Sequence, residues 1–352
     1  MKLKFGYIIF VVITLITASC ENNPIDKQEK KKQDFITLLG NFQNNRKVKI
    51  KEISIQEFEE FTRKLIQYEL FGETIQAYVL IPNNSKGKVP GILAIHQDGE
   101  HRPYEFGKSE PAGIHGDSSL YYGLELCKKG YVVICPDRFG FESRMLQKSK
   151  NWNDFASFPV SLEYNQQRIY LTEDLFIGAR SSQLITEGKT MMGMTIMELK
   201  YAIDILCSLK EVDKEKIGVI GHSAGGFLSG ILMYVDDRIK LGCSSCGSFL
   251  LSDIYNDTYL RPMNGFCGLL TIPGIKQWGD FDDVIEGIYP RSFIELSADI
   301  NRSKVFEKAM KKQKFKGNEI VIKQKYFNLG QHTFTNEMRN EAYSWFERQF
   351  NQ

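Results

Sequence analysis

Residues 217–228 read IGVIGHSAGGFL, an apolar run that breaks off into Gly221, His222, Ser223, Ala224, Gly225 and Gly226 with the spacing G-x-S-x-G. That spacing suits a serine held on a tight strand-to-helix turn, where small neighbours let the strained chain double back without clashes. The chemistry it implies is nucleophilic attack. A serine hydroxyl is a poor nucleophile at neutral pH, so it needs an imidazole to take its proton and a carboxylate to hold that imidazole in the useful tautomer. The chain has five histidines: His96, His101, His115 and His222 precede Ser223, and His332 alone lies downstream, in FNLGQHTFTNEMRNEAYSWF. Two carboxylates are candidates for the acid. Asp299 ends the run SFIELSAD and is preferred; Asp253, just past the preceding apolar run, is its rival. Asp280, Asp282 and Asp283 cluster in a long connection and read as surface or wall residues.

These groups must be brought together by the elements around them. Residues 63–70 (RKLIQYEL) and 74–82 (TIQAYVLIP) alternate apolar and polar residues about FGE, which predicts an antiparallel hairpin. Beyond it the pattern becomes short, nearly continuous apolar runs: GILAIH (91–96), YVVICPD (131–137), KIGVIG (216–221), IKLGCSSCG (239–247), SFIELSAD (292–299) and EIVIKQKYF (319–327). Amphipathic stretches of helix length separate most of them. Strands buried on both faces lose their alternation, and strands alternating with helices make a mostly parallel, doubly wound α/β sheet. Helices are expected at residues 120–129, along the stripe Met192, Ile196, Leu199, Ile203, Leu206 and Leu209, from Gly225 and Gly226 onward, and at 303–314 and 336–350. Residues 138–189 and 249–290 exceed ordinary connections. Both leave the carboxyl ends of strands, so they are expected to be long loop insertions that shape the substrate site.

On a fold of this kind the triad follows the order serine, acid, histidine, which gives Ser223, Asp299 and His332. An oxyanion needs two donors. One is the backbone N–H of Ala224, at a helix start where the dipole favours negative charge; the other comes from Gln97 or Asp98, in the loop after GILAIH.

The 352 residues are 42% hydrophobic and carry a formal net charge of +2, enough for one sizeable core and without the basic field that nucleic-acid binding needs. Lys2 and Lys4 precede the apolar stretch 5–17, which meets small residues and a cysteine in TASC. The stretch is short for a membrane span, and its flanks are those of a signal peptide. It resembles a bacterial lipoprotein lipobox, which would make Cys20 the acylated first residue of an exported protein held on the membrane. The expected organisation is a signal segment at 1–20, a solvated tether at 21–50 that includes KQEKKKQ, and one catalytic domain at 51–352. Six cysteines remain, and Cys243 and Cys246 have C-x-x-C spacing. With no second pair and no nearby histidine, they read as core thiols rather than as a zinc or redox site.

Taken together, PGILAIHQDG, GKSEPAG, LELCKKGYVVICPDRFGFESR, EVDKEKIGVIGHSAGGFLS, RIKLGCSSCG, PRSFIELSAD and GQHTFTNEMRNEAYSWF resemble the α/β-hydrolase superfamily, in its dienelactone-hydrolase-like and acetyl-xylan-esterase-like group. The resemblance runs from about Gly72 to Phe350. It departs from the usual pattern at Gln97, where glycine is common, and at Ser223, where a dienelactone hydrolase has cysteine. It implies the α/β-hydrolase fold, cleavage of carboxylic esters through an acyl-enzyme, a small-molecule or polysaccharide ester as substrate, and no metal or organic cofactor. A serine peptidase on the same fold and a non-catalytic envelope binding protein are the other readings.

Overall fold

The computed structural model describes residues 24–42, 47–99, 104–146, 165–255, 265–314 and 321–351. In chain order the helices are α1 (Pro24–Leu39), α2 (Tyr122–Lys128), α3 (Asn165–Thr186), α4 (Met191–Ser208), α5 (Ala224–Val235), α6 (Leu251–Tyr255), α7 (Gly265–Leu270), α8 (Ile275–Trp278), α9 (Phe281–Ile288), α10 (Ser303–Lys314) and α11 (Asn336–Phe350). The strands are β1 (Lys51–Glu57), β2 (Phe61–Leu70), β3 (Glu73–Pro82), β4 (Val89–Ile95), β5 (Val132–Pro136), β6 (Val212–His222), β7 (Ile239–Ser245), β8 (Ser292–Ser297) and β9 (Ile322–Tyr326). They form one nine-stranded sheet in the order β1-β2-β3-β5-β4-β6-β7-β8-β9. The first three strands and the β3·β5 pair are antiparallel, and every pair from β5 to β9 is parallel.

The apolar runs lack alternation because both faces of the sheet are covered. In β4, Leu93 and Ile95 face one core while Ile92 and Ala94 face the other; in β5, Val132 and Ile134 oppose Val133 and Cys135 in the same way. Helices α1, α4, α5, α9 and α10 contribute to the first core, and α2 and α11 to the second. The α4 stripe is buried as its periodicity predicts, apart from Leu209, which follows the helix as its cap. Thr190 caps the other end, its Oγ1 accepting from the Gly193 N–H at 2.9 Å. The hairpin forms as β2 and β3, and the strand β1, which the sequence did not announce, extends it at the sheet edge with every residue exposed.

Two expectations are corrected. The stretch read as a tether is largely helix α1, and it is docked rather than solvated: Phe35 and Leu39 lie in the core. Its charges are used in that docking. Lys32 pairs with Asp237 at 2.6 Å, Lys31 with Asp283 at 2.8 Å, and the Lys31 carbonyl accepts from Trp278 Nε1 at 2.7 Å. The two insertions, expected as long loops, carry helices among their described residues. The first holds a 3-10 turn at Glu142–Arg144 and the 22-residue α3, the second α6 to α9. They meet where Ser181 Oγ of α3 donates to the Gly268 carbonyl of α7 at 3.1 Å. The signal segment and Cys20 lie outside the described residues, as does His101. No helix among the described residues is long and apolar enough to cross a membrane.

Candidate active site

Strand β6 delivers Ser223 at the carboxyl edge of the parallel sheet. Its φ of 54° and ψ of −123° put a non-glycine residue in strained backbone, directly before α5. Two features hold that turn. The Ser223 N–H donates to the Ser245 carbonyl of β7 at 2.7 Å, and its carbonyl accepts from the Phe227 N–H at 3.0 Å. The flanking glycines are required by space: a Cβ on Gly221 would stand 2.2 Å from the Gly225 carbonyl carbon, and one on Gly225 would stand 2.1 Å from the Ile95 oxygen. The helix start therefore rests directly on the end of β4, which is where Gln97 and Asp98 emerge.

His332 is half-buried in the turn between β9 and α11, and its Nδ1 lies 3.4 Å from Asp299 Oδ2. Asp299 follows β8 by two residues and also faces Arg302 at 3.6 Å. Asp253, the rival acid, is exposed on α6, so the structure brings Asp299 and not Asp253 to the imidazole. The other described histidines serve elsewhere. His96 is fully buried, with Nε2 accepting from the Arg138 N–H at 3.0 Å, and burial holds its pKa well below the usual imidazole range. His115 is exposed. His222 is buried beneath His332, ring centroids 4.8 Å apart, and has Phe334 stacked on it. Burial, and then the His332 ring, push its pKa down to about 3, which leaves a neutral imidazole held by Ser245 Oγ at 3.0 Å.

Ala224 begins α5 and is buried, so its N–H is among the unpaired amides of a helix start. Gln97 is buried and Asp98 half-buried; Arg138 ties both down, donating to the Gln97 carbonyl at 3.0 Å and pairing with the Asp98 carboxylate. Next to these groups is a cavity of about 410 Å³ whose lining includes Gln97, Glu110, Asp117, His222, His332 and Phe334. Ser223, adjacent to His222, is not part of that lining. Glu110 belongs to the GKSEPAG stretch, to which the sequence assigns no role, and the cavity has no sequence signature.

Cys243 and Cys246 are both buried free thiols. Cys246, Asp299 and His332 each place a donor atom within 4.8 Å of the others, the one such group among the described residues that could hold a metal ion. Burial pushes the Cys246 thiol up to about 12.

No protein-family model matches the chain. A Bacillus subtilis protein, the provisionally assigned hydrolase YtaP, is 29% identical over 224 residues, covering 62% of this chain and 64% of its own length. Among solved structures, a provisionally assigned acetyl xylan esterase of Bacteroides fragilis superposes with a TM-score of 0.65 at 17% identity, covering 85% of this chain and 74% of its own. A glucuronoyl esterase from Solibacter usitatus gives 0.59 at 13% identity over 92% of each. With the strand order and the elbow already described, these likenesses identify the architecture: the chain has the α/β-hydrolase fold.

Proposed function

We propose that the protein is a serine esterase that cleaves carbohydrate esters through an acyl-enzyme. Ser223 attacks the ester carbonyl as His332 takes its proton, and Asp299 holds the imidazole and stabilises its charged form. The oxyanion is met by the Ala224 amide and by that of Gln97 or Asp98; each such donor is worth about 2.7–4 kcal/mol in the transition state. His332 then returns its proton to the leaving alcohol, and water releases the acyl group by the same base. The observation that carries this reading is the 3.4 Å approach of His332 Nδ1 to Asp299, with the His332 ring 4.8 Å from that of His222, the chain neighbour of a serine held at φ 54°. Short acyl groups on polysaccharides are the leading substrates, in line with the acetyl xylan esterases that share the fold. The flanks of residues 5–17 and the position of Cys20 support export and lipidation.

The test is acetate release from acetylated xylan and from 4-nitrophenyl acetate by purified 21–352, beside Ser223→Ala. Hydrolysis of both that disappears in the variant is the expected result. Hydrolysis of the aryl ester alone moves the substrate away from acetylated xylan. Silence on both, with no labelling of Ser223 by a fluorophosphonate, overturns the proposal in favour of a binding protein.

A further inference from the structure

Resting on the esterase reading, the cavity beside His332 has a definite side of the substrate to hold. The imidazole must hand its proton to the leaving oxygen, so the space it lines receives the alcohol portion. The volume of about 410 Å³ is in the range of small-molecule sites. Its charged lining is one-sided: Glu110 and Asp117 face it, and no lysine or arginine does so among the described residues.

Glu110 is the unusual member. It is only 4% exposed, and it makes no ion pair among the described residues. The Asp117 N–H reaches its Oε1 at 3.3 Å, and the turn packs so closely on it that a Cβ at Gly116 would stand 2.7 Å from the same oxygen. Burial lifts its pKa to about 7, against the pull of the Asp117 amide and the Gln97 side chain. A nearly buried carboxyl without a counter-ion is costly to the folded state, and one that opens on a cavity beside a catalytic base is placed to be satisfied by a ligand.

We propose that Glu110 is the specificity-determining residue on the alcohol side: it accepts hydrogen bonds from the hydroxyls of a neutral sugar and, with Asp117, turns away sugars that carry a free carboxylate. The substrate class is therefore acyl esters of neutral sugars, not of uronic acids. A carboxylate acceptor suits vicinal hydroxyls, and like charge at close range in a partly enclosed site costs affinity.

The experiment compares acetylated xylotriose, acetylated trigalacturonate and 4-nitrophenyl acetate at pH 8 and low salt, with wild type and Glu110→Gln. Wild type is expected to favour the neutral over the acidic sugar by about tenfold or more in kcat/KM, the scale of one hydrogen bond to a charged group. In Glu110→Gln that preference narrows about fivefold or more, mainly through KM, and the loss on the xylotriose ester exceeds the loss on the aryl ester. Equal loss on all three substrates assigns Glu110 a scaffold role and overturns the inference; so does an unaltered preference. Calorimetry with Ser223→Ala separates this from the esterase reading, because xylotriose is expected to bind and trigalacturonate is not, whether or not turnover occurs. If both or neither bind, Glu110 is not the determinant. Should Glu110→Gln fail to fold, Asp117→Asn, at an exposed position, is expected to relax the rejection of trigalacturonate, and no change there overturns the charge argument.

Discussion

Replacing Glu295 by glutamine should stabilise the protein at alkaline pH and do much less in acid. Glu295 lies in the middle of β8 with no exposed surface, accepting from Ser248 Oγ at 2.8 Å and Ser297 Oγ at 3.2 Å. Burial is the main cause that raises its pKa from 4.5 to about 7, against the pull of serine hydroxyls and Arg302. A folded value above the unfolded one means that the unfolded chain gives up its proton first. Stability is therefore fully present below about pH 4.5, falls as pH rises toward 7, and levels off beyond. Each pK unit is worth about 1.36 kcal/mol, so the carboxyl withdraws about 3 kcal/mol at pH 8 and about 1 kcal/mol at pH 5. Glutamine has no such term. Its pH-independent cost of fitting cancels when urea unfolding of variant and wild type is compared at pH 5 and pH 8, and the variant should gain about 2 kcal/mol more at pH 8. An identical difference at the two pH values would refute the argument, since it would mean that Glu295 titrates alike in the folded and unfolded chains.

Three other outcomes are expected. Phe35→Ala should cost about 3–5 kcal/mol in urea unfolding, because the ring is 1% exposed between Tyr234 and Trp278, whereas on a solvated tether it would cost almost nothing. Asp299→Asn should lower kcat by about four orders of magnitude through loss of the imidazole's tautomer, with little change in Tm, while Asp253→Asn should stay within about twofold of wild type. Gly225→Ala should cost about 3 kcal/mol and most of the activity, because its Cβ meets the backbone oxygens of Ile95 and His96, which cannot move aside as a side chain could.

What was legible in the sequence is what depends on local pattern. The elbow is fixed by glycines whose neighbours leave no room, and the parallel strands by apolar runs covered on both faces. Helices α10 and α11 match their expected bounds because each carries one continuous apolar stripe. The helix α1 was hidden because its lysines look like solvated charge, and the residues that neutralise them, Asp237 and Asp283, lie more than two hundred positions away. The helices in the insertions were hidden for a related reason. Helices α3 and α7 pack on each other, as at Ser181 and Gly268, so no stripe facing the sheet announces them; α9 does carry one, at Phe281, Val284, Ile285 and Ile288, inside a connection whose length reads as loop. Glu110 was illegible because its meaning is a juxtaposition: a turn carries it to Gln97 and His332, separated from it by 13 and 222 positions of the chain.

The docking of α1 bears on how the molecule would stand on a membrane. Gln28 of α1 donates to the Gly287 carbonyl just before β8 begins, and Lys32 reaches Asp237 just before β7 begins, so the start of the helix lies at the edge of the sheet away from Ser223. The carbonyl of Leu39, at its end, accepts from Thr190 Oγ1 at the start of α4, on the Ser223 side of the sheet. Only residues 21–23 separate Cys20 from Pro24, a reach of about 10–15 Å at full extension. A lipid on Cys20 would thus be joined to a rigid post rather than to a leash. The sixteen residues of the helix rise about 24 Å, so α1 runs as one strut from the edge of the sheet away from Ser223 to the edge that carries it.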